Sequence, residues 1–337
     1  MRRIAITVAV VDALLIWAGS AVYKSHIRRP MHSKRLTIIT VSLALLALGL
    51  SVLASNHALA ADPCTDVSGT TVTITESCTD LDIGGDGSNV TINSGVTIDT
   101  PTKGAVTTGN SINTNITNNG TISVTTNRAF RTAGGQVDEL INNSIITAGG
   151  REGLRNGGTI NILTNTITGV ISAGTDFGLF NFNERSFTGT ITALTNTNSG
   201  TISAVDDFGL QNKGIIGTII NSGTISAGEA FGLHNFNSAS IITSLINTGT
   251  ISAGTNNGLR NKGTIGTIIN SGTISAGTND SGLFNDDTGI ITELINSGTI
   301  SAGGNFAINN LGSIGTLTNT NSISQIQSTG ISNAGTI

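Results

Sequence analysis

The chain has 337 residues, is only 11% charged and 4% aromatic, contains 44 Gly and 3 Pro, and carries a formal net charge of −4. Glycine this abundant without a collagen period, beside much Thr, Asn, Ser and Ile, predicts many short strands and turns rather than helices. Residues 1–60 hold seven basic residues against Asp12 alone. The remainder, with 9 basic and 19 acidic residues, is net −10 and would repel phosphate, so nucleic acid is not expected as a partner.

In chain order, the first feature is a leader. From Met31 a basic start (His32, Lys34, Arg35) precedes an uncharged run, Leu36 to Ala54, and then Ala58-Leu59-Ala60. This small-x-small ending predicts a signal peptide over 31–60, cleaved before Ala61 and directing Sec export. Residues 1–30 contain a second apolar stretch, Ile4 to Tyr23, broken by Asp12. An extended signal, a membrane-anchoring helix and a misassigned start codon all fit it; the last is favoured because Met31 opens a self-sufficient signal.

Next come the only two cysteines, Cys64 and Cys78, within a predicted N-terminal segment spanning 61–110. In an exported protein so close a pair predicts a local disulfide that pins the first strands. Gly84-Gly85-Asp86-Gly87 lacks the spaced aspartates of calcium-binding nonapeptides and predicts a turn.

Over 111–337 one phrase, Thr-Ile-Ser-Ala-Gly, recurs, and its central isoleucine forms a column: Ile122, Ile146, Ile171, Ile202, Ile225, Ile251, Ile274, Ile300 and Ile323. Ile202, Ile251 and Ile300 lie 49 residues apart, as do Ile225, Ile274 and Ile323, which indicates a duplicated two-coil unit. The 31-residue interval before Ile202 predicts an insertion near 183–188, with Glu184 and Arg185 on an exposed loop. Within one coil, Thr250-Ile251-Ser252, Gly258-Leu259-Arg260-Asn261 and Ile265 to Ile269 are three strand-like pieces, with Ile251 and Leu259 inward. The predicted fold is all-β, a parallel β-helix (β-solenoid) with three short strands per coil of about 24 residues.

Asparagines mark the turns. Four residues before the marker lie Asn118, Asn142, Asn198, Asn221, Asn247, Asn270, Asn296 and Asn319, with Ile167 in their place on the Ile171 coil. A second column holds Asn156, Asn181, Asn212, Asn235, Asn261, Asn285 and Asn310. Both predict structural amide ladders at residues able to take a left-handed backbone. Phe177, Phe208 and Phe231, each before Gly-Leu, predict an aromatic stack, with sugar stacking as the functional alternative.

Catalytic groups are scarce. Beyond the leader the only histidine is His234, at a position filled elsewhere by Gln211, Arg260 or Phe284, which predicts an outward, unconstrained site. Neither a Ser-His-Asp triad nor a His or Cys metal site can be assembled from one histidine. Asp206-Asp207 and Asp286-Asp287 lie coils apart. Phe177, Phe231 and Asn257 are taken as the equivalents of Asp207, so no acidic cluster is expected along a stack. No catalytic residue, cofactor or metal is predicted.

Runs such as Ile269-Asn270-Ser271-Gly272-Thr273-Ile274-Ser275-Ala276-Gly277 behind a signal peptide resemble the passenger region of Gram-negative autotransporters, over roughly 110–337. The resemblance implies Sec export, passage through a C-terminal outer-membrane β-barrel, and display or release at the cell surface. Many members are adhesins; others carry a grafted enzyme. No barrel pattern follows, and the sequence stops at Gly335-Thr336-Ile337 inside a repeat, which suggests a truncated passenger lacking its barrel. The expected function is thus a non-enzymatic adhesin or stalk whose partners are host or bacterial surface molecules or the protein itself. The alternative is an ice-binding solenoid using rows of Thr (Thr201, Thr224, Thr250) and Ser (Ser203, Ser226, Ser252); a polysaccharide lyase or hydrolase ranks below both.

Overall fold

A computed structural model of the chain describes Cys64 and residues 66–183, 188–278, 280–325 and 330–337. The leader assignments over 1–60, and the Glu184–Arg185 loop, lie outside the described residues. Among those described there is no helix; 32 short strands wind into a β-solenoid of three parallel sheets. Each coil visits the sheets in the same order. Sheet 1 has 11 strands, from Thr71–Ile74 to Ser313–Asn319. Sheet 2 has 10, from Thr97–Thr100 to Ser322–Gln325. Sheet 3 has 11, from Leu81–Ile83 to Ile331–Asn333.

Period-2 alternation sets the core. The marker isoleucines stack in register through sheet 2, as in Ile202↔Ile225 and Ile225↔Ile251, and those from Ile122 to Ile300 are fully buried. Sheet 3 contributes a column of leucines, Leu210↔Leu233↔Leu259, also fully buried. The seven-residue strands of sheet 1 depart from strict alternation. In Ile215–Asn221, Ile216 and Ile219 point inward, and two outward residues, Gly217 and Thr218, separate them. That extra residue recurs on neighbouring coils, and Ile220 and Ile269 are therefore left facing outward, each 37% exposed.

Glycine is required where coils press together. A Cβ at Gly258 would sit 2.5 Å from the Ser275 carbonyl oxygen, and one at Gly249 would sit 2.1 Å from that of Gly223. At the first coil Cys64 and Cys78 form a disulfide across a separation of 14 residues. The chain turns at Gly85–Gly87, where Asp86 accepts a hydrogen bond from the Ile112 amide at 2.9 Å.

Both asparagine ladders are present, and both need correction. In the first, each Nδ2 donates to the next coil's Oδ1: Asn118 to Asn142 at 2.8 Å, Asn221 to Asn247 at 2.8 Å, and so on to Asn319. Asn198 does not belong to it. Asn196 occupies the rung, accepting from Asn165 and donating to Asn221, both at 2.8 Å, while Asn198 is exposed in the turn. The Ile171 coil likewise has its rung in Asn165, and Ile167 is 57% exposed. The turns after Asn165 and Asn196 are two residues longer than that after Asn221, so counting back from the isoleucine lands past the ladder. The ladder residues also need no left-handed backbone: among the described residues the one non-glycine with positive φ is Asn113. They are fixed by the amide stacking itself, at the buried ends of strands.

Candidate functional site

The outer faces of the three sheets differ in chemistry. Sheet 2 presents rows of hydroxyls in register, Thr224↔Thr250↔Thr273 and Ser226↔Ser252↔Ser275, with Ile145 and Val170 completing the Thr row. Sheet 1 presents mainly Thr and Ile. Sheet 3 carries the largest changes from coil to coil, with Arg155, Phe180, Gln211, His234, Arg260 and Phe284 in one row, and among the described residues most charges lie on it or on its flanking turns.

In sheet 3 the residue before each Gly-Leu pair and the two residues around the ladder Asn are set opposite the inward Leu and Asn, as Phe177, Phe180 and Phe182 are around Leu179 and Asn181. Stacking through coil registry then brings distant rings together. Phe177 stacks on Phe208 at 5.2 Å between centroids, and Phe208 lies 5.4 Å from Phe231. Phe177 also stacks on Phe180 at 4.4 Å, and Phe180 meets Phe182 at 5.0 Å. Cations cover this strip: Arg155 sits 4.3 Å from the Phe182 ring, Lys213 sits 4.1 Å from Phe236, and Arg260 sits 5.2 Å from Phe231. The expected aromatic stack thus exists, on the outside of the coil rather than in the core, and four further phenylalanines extend it. Phe180 and Phe284 share the phrase Gly-Leu-Phe-Asn, and Phe182 and Phe236 share Asn-Phe-Asn, so the sequence carries a signal for all four, and the register of sheet 3 places them on one strip.

His234 is not the unconstrained residue its variable position suggested. It is 3% exposed, with its ring 5.4 Å from Phe208, 4.8 Å from Phe231 and 5.2 Å from Phe236. Burial, then the nearby Arg260 and Lys262, lowers its pKa from 6.5 to about 3, so the ring is neutral. Gln211 Nε2 lies 3.4 Å from its Nδ1, which puts the ring proton on Nε2, where it has no partner.

An ion cluster closes one end of the strip. Glu152 is fully buried, with Arg128 Nε at 2.9 Å and Arg155 Nη1 at 3.3 Å from its carboxylate. Toward the other end, Asp286 takes a two-pronged bond from Arg260, at 2.6 and 3.1 Å, with Lys262 3.7 Å away. The Arg260 and Lys262 charges and hydrogen bonds outweigh burial and hold the Asp286 carboxyl below the usual range.

Acidic residues do line up along one edge. The Phe208 amide bonds to the Asp176 carbonyl, so Asp207 is level with Asp176, and Phe177 is level with Phe208. The equivalence of Asp207 with Phe177, Phe231 and Asn257 is one residue out of step. Burial, then Asp176, Asp206 and Glu229, raises the Asp207 carboxyl above its ordinary value. No group of three His, Cys, Asp or Glu side chains among the described residues is placed to hold a metal ion. No family model, curated protein or solved structure matches the chain.

Proposed function

We propose that this β-solenoid is a non-enzymatic, exported passenger of the autotransporter kind, acting as an adhesin or stalk, with the outer face of sheet 3 as its contact surface. One observation carries the reading: chemical individuality is greatest on that face, where one outward row runs Arg155, Phe180, Gln211, His234, Arg260 and Phe284, while sheet 2 repeats Thr and Ser and sheet 1 varies mainly among Thr, Ile, Ser and Gly. Repeat solenoids bind through such extended faces, and rings flanked by cations are the side chains that interfaces favour. Sec export and surface display follow from the signal-like segment over 31–60 and the repeat resemblance.

The test is binding of the purified protein to bacterial cells, host cells and extracellular matrix, beside a Phe236→Ala/Lys213→Ala variant. Binding that falls at least about tenfold in the variant supports the proposal; binding to none of the three surfaces refutes it. A second reading, ice binding, has in its favour the Thr and Ser rows that run in register from Thr201 to Thr299 and from Ser203 to Ser301 along sheet 2. Thermal hysteresis abolished by Thr250→Lys would establish it.

A further inference from the structure

Sheet 1 carries a face with no assigned role. Seven of its strands, from Thr159–Asn165 to Ser313–Asn319, each expose four outward positions, and Glu293 is the one charged residue among them. Along both margins run ridges of isoleucine. Ile215, Ile241 and Ile290 are 37%, 38% and 48% exposed on one side; Ile220 and Ile269 are each 37% exposed on the other. Between the ridges lies a trough of small residues, Gly217, Thr218, Gly266 and Thr267, at the two consecutive outward positions of each strand. Single exposed isoleucines are ordinary, but two isoleucine rows across the four strands from Ile215–Asn221 to Ile290–Asn296, broken only at Thr264 and set on a nearly uncharged face, mark an interface.

We propose that this face docks a second copy of the same chain, isoleucine ridge into glycine–threonine trough. Size and charge favour this occupant. At about 4.8 Å between strands and about 3.3 Å per residue, seven strands of seven residues make a footprint of roughly 700 Å², close to the about 800 Å² per partner of a standard interface. Beyond the leader the chain is net −10, so two copies repel through most approaches. A face that is almost free of charge removes the repulsion where they touch, and an isologous pairing satisfies both copies with one patch. The proposal is independent of the sheet-3 reading, because the two faces share no residue.

The test uses the full chain and sedimentation velocity across a concentration series, at low and at raised salt. Three variants reuse residues that the same rows already hold on other coils. Ile220→Thr and Ile269→Thr copy Thr195 and Thr318, and Thr218→Glu copies Glu293. Each is expected to fold, shown by an unchanged β-sheet circular dichroism spectrum. The expected result is a dimer that strengthens with salt, as repulsion is screened, and weakens at least about tenfold in Thr218→Glu. A monomer at every concentration would overturn the proposal. So would association that all three variants leave unchanged, since the contact would then lie elsewhere. Phe236→Ala/Lys213→Ala leaves this dimer intact, so failure here and failure of the sheet-3 reading are told apart.

Discussion

Asn196 and Asn198 are two residues apart in one turn, and only the first is a rung of the buried ladder. In Asn196→Ala the bond from Asn165 and the bond to Asn221 are both lost, together with those to the Gly200 and Thr224 carbonyls. Each net hydrogen bond is worth about 1 kcal/mol. Asn221 Oδ1 is left fully buried without its donor, which adds about 1–3 kcal/mol. Because Asn196 Nδ2 has two hydrogens shared among three acceptors, only the two ladder bonds are counted in full, and with the orphaned Oδ1 the expected loss is about 3–5 kcal/mol, whereas Asn198→Ala, exposed and off the ladder, should stay within about 0.5 kcal/mol. Urea unfolding followed by circular dichroism reads both. The ladder argument fails if the two variants have the same midpoint. Asn196→Asp sharpens the comparison: an ionised carboxylate offers no donor to Asn221, so it should be at least as damaging as alanine.

Other expectations follow from the sheet-3 face and the close approaches. His234→Phe removes a buried N–H without a partner but also takes the acceptor from the buried Gln211 Nε2, so the two effects should offset and leave stability within about 1 kcal/mol of the parent; urea midpoints at neutral pH check this. Because the folded pKa of His234 lies near 3, below its ordinary 6.5, the unfolded chain takes up the proton first. Stability should then fall as pH drops below about 6.5, and the phenylalanine variant should lose part of that slope. Glu152→Gln leaves the surrounding arginines without their buried counter-charge and should cost about 3–5 kcal/mol, measured by thermal melting with Asp176→Asn as the exposed control. Gly258→Ala must displace a backbone carbonyl and should destabilise by about 1–3 kcal/mol; a melting temperature equal to that of the parent would contradict the close packing.

The fold was legible because a two-residue period and a repeated phrase fix which side chains face inward. Ile251 and Leu259 needed nothing beyond alternation. The ladder is legible as a column but wrong at two rungs, Asn165 and Asn196, because the turns after them are longer than the others and counting back from the isoleucine reaches Ile167 and Asn198 instead. The Asp207 error has the same source: a one-residue slip carries a side chain to another row, and only backbone hydrogen bonds between coils settle the register. The burial of His234 could not be read from its own coil. Its cover is Phe208 from the preceding coil and Phe231 and Phe236 on either side of it, and a variable position looks unconstrained until those neighbours are in place.

The seam between coils is the same wherever the two-residue turn after the ladder Asn occurs, as at 222–223 and 248–249. Removing residues 250–298 would join Gly249 to Thr299 and reproduce the local sequence Gly-Thr-Ile-Ser-Ala, with Ile300 seated on Ile225 and Asn319 accepting from Asn247. The inner contacts would carry no scar, so slippage between the near-identical gene segments would change the length of this rod without redesigning its interior. The excision would keep the rings from Phe177 to Phe236 but remove Phe284 and Arg260, the cation over Phe231, whereas one that began between Phe177 and Phe231 would cut the strip itself. Length can thus drift at the cost of one end of the recognition strip while its centre is held.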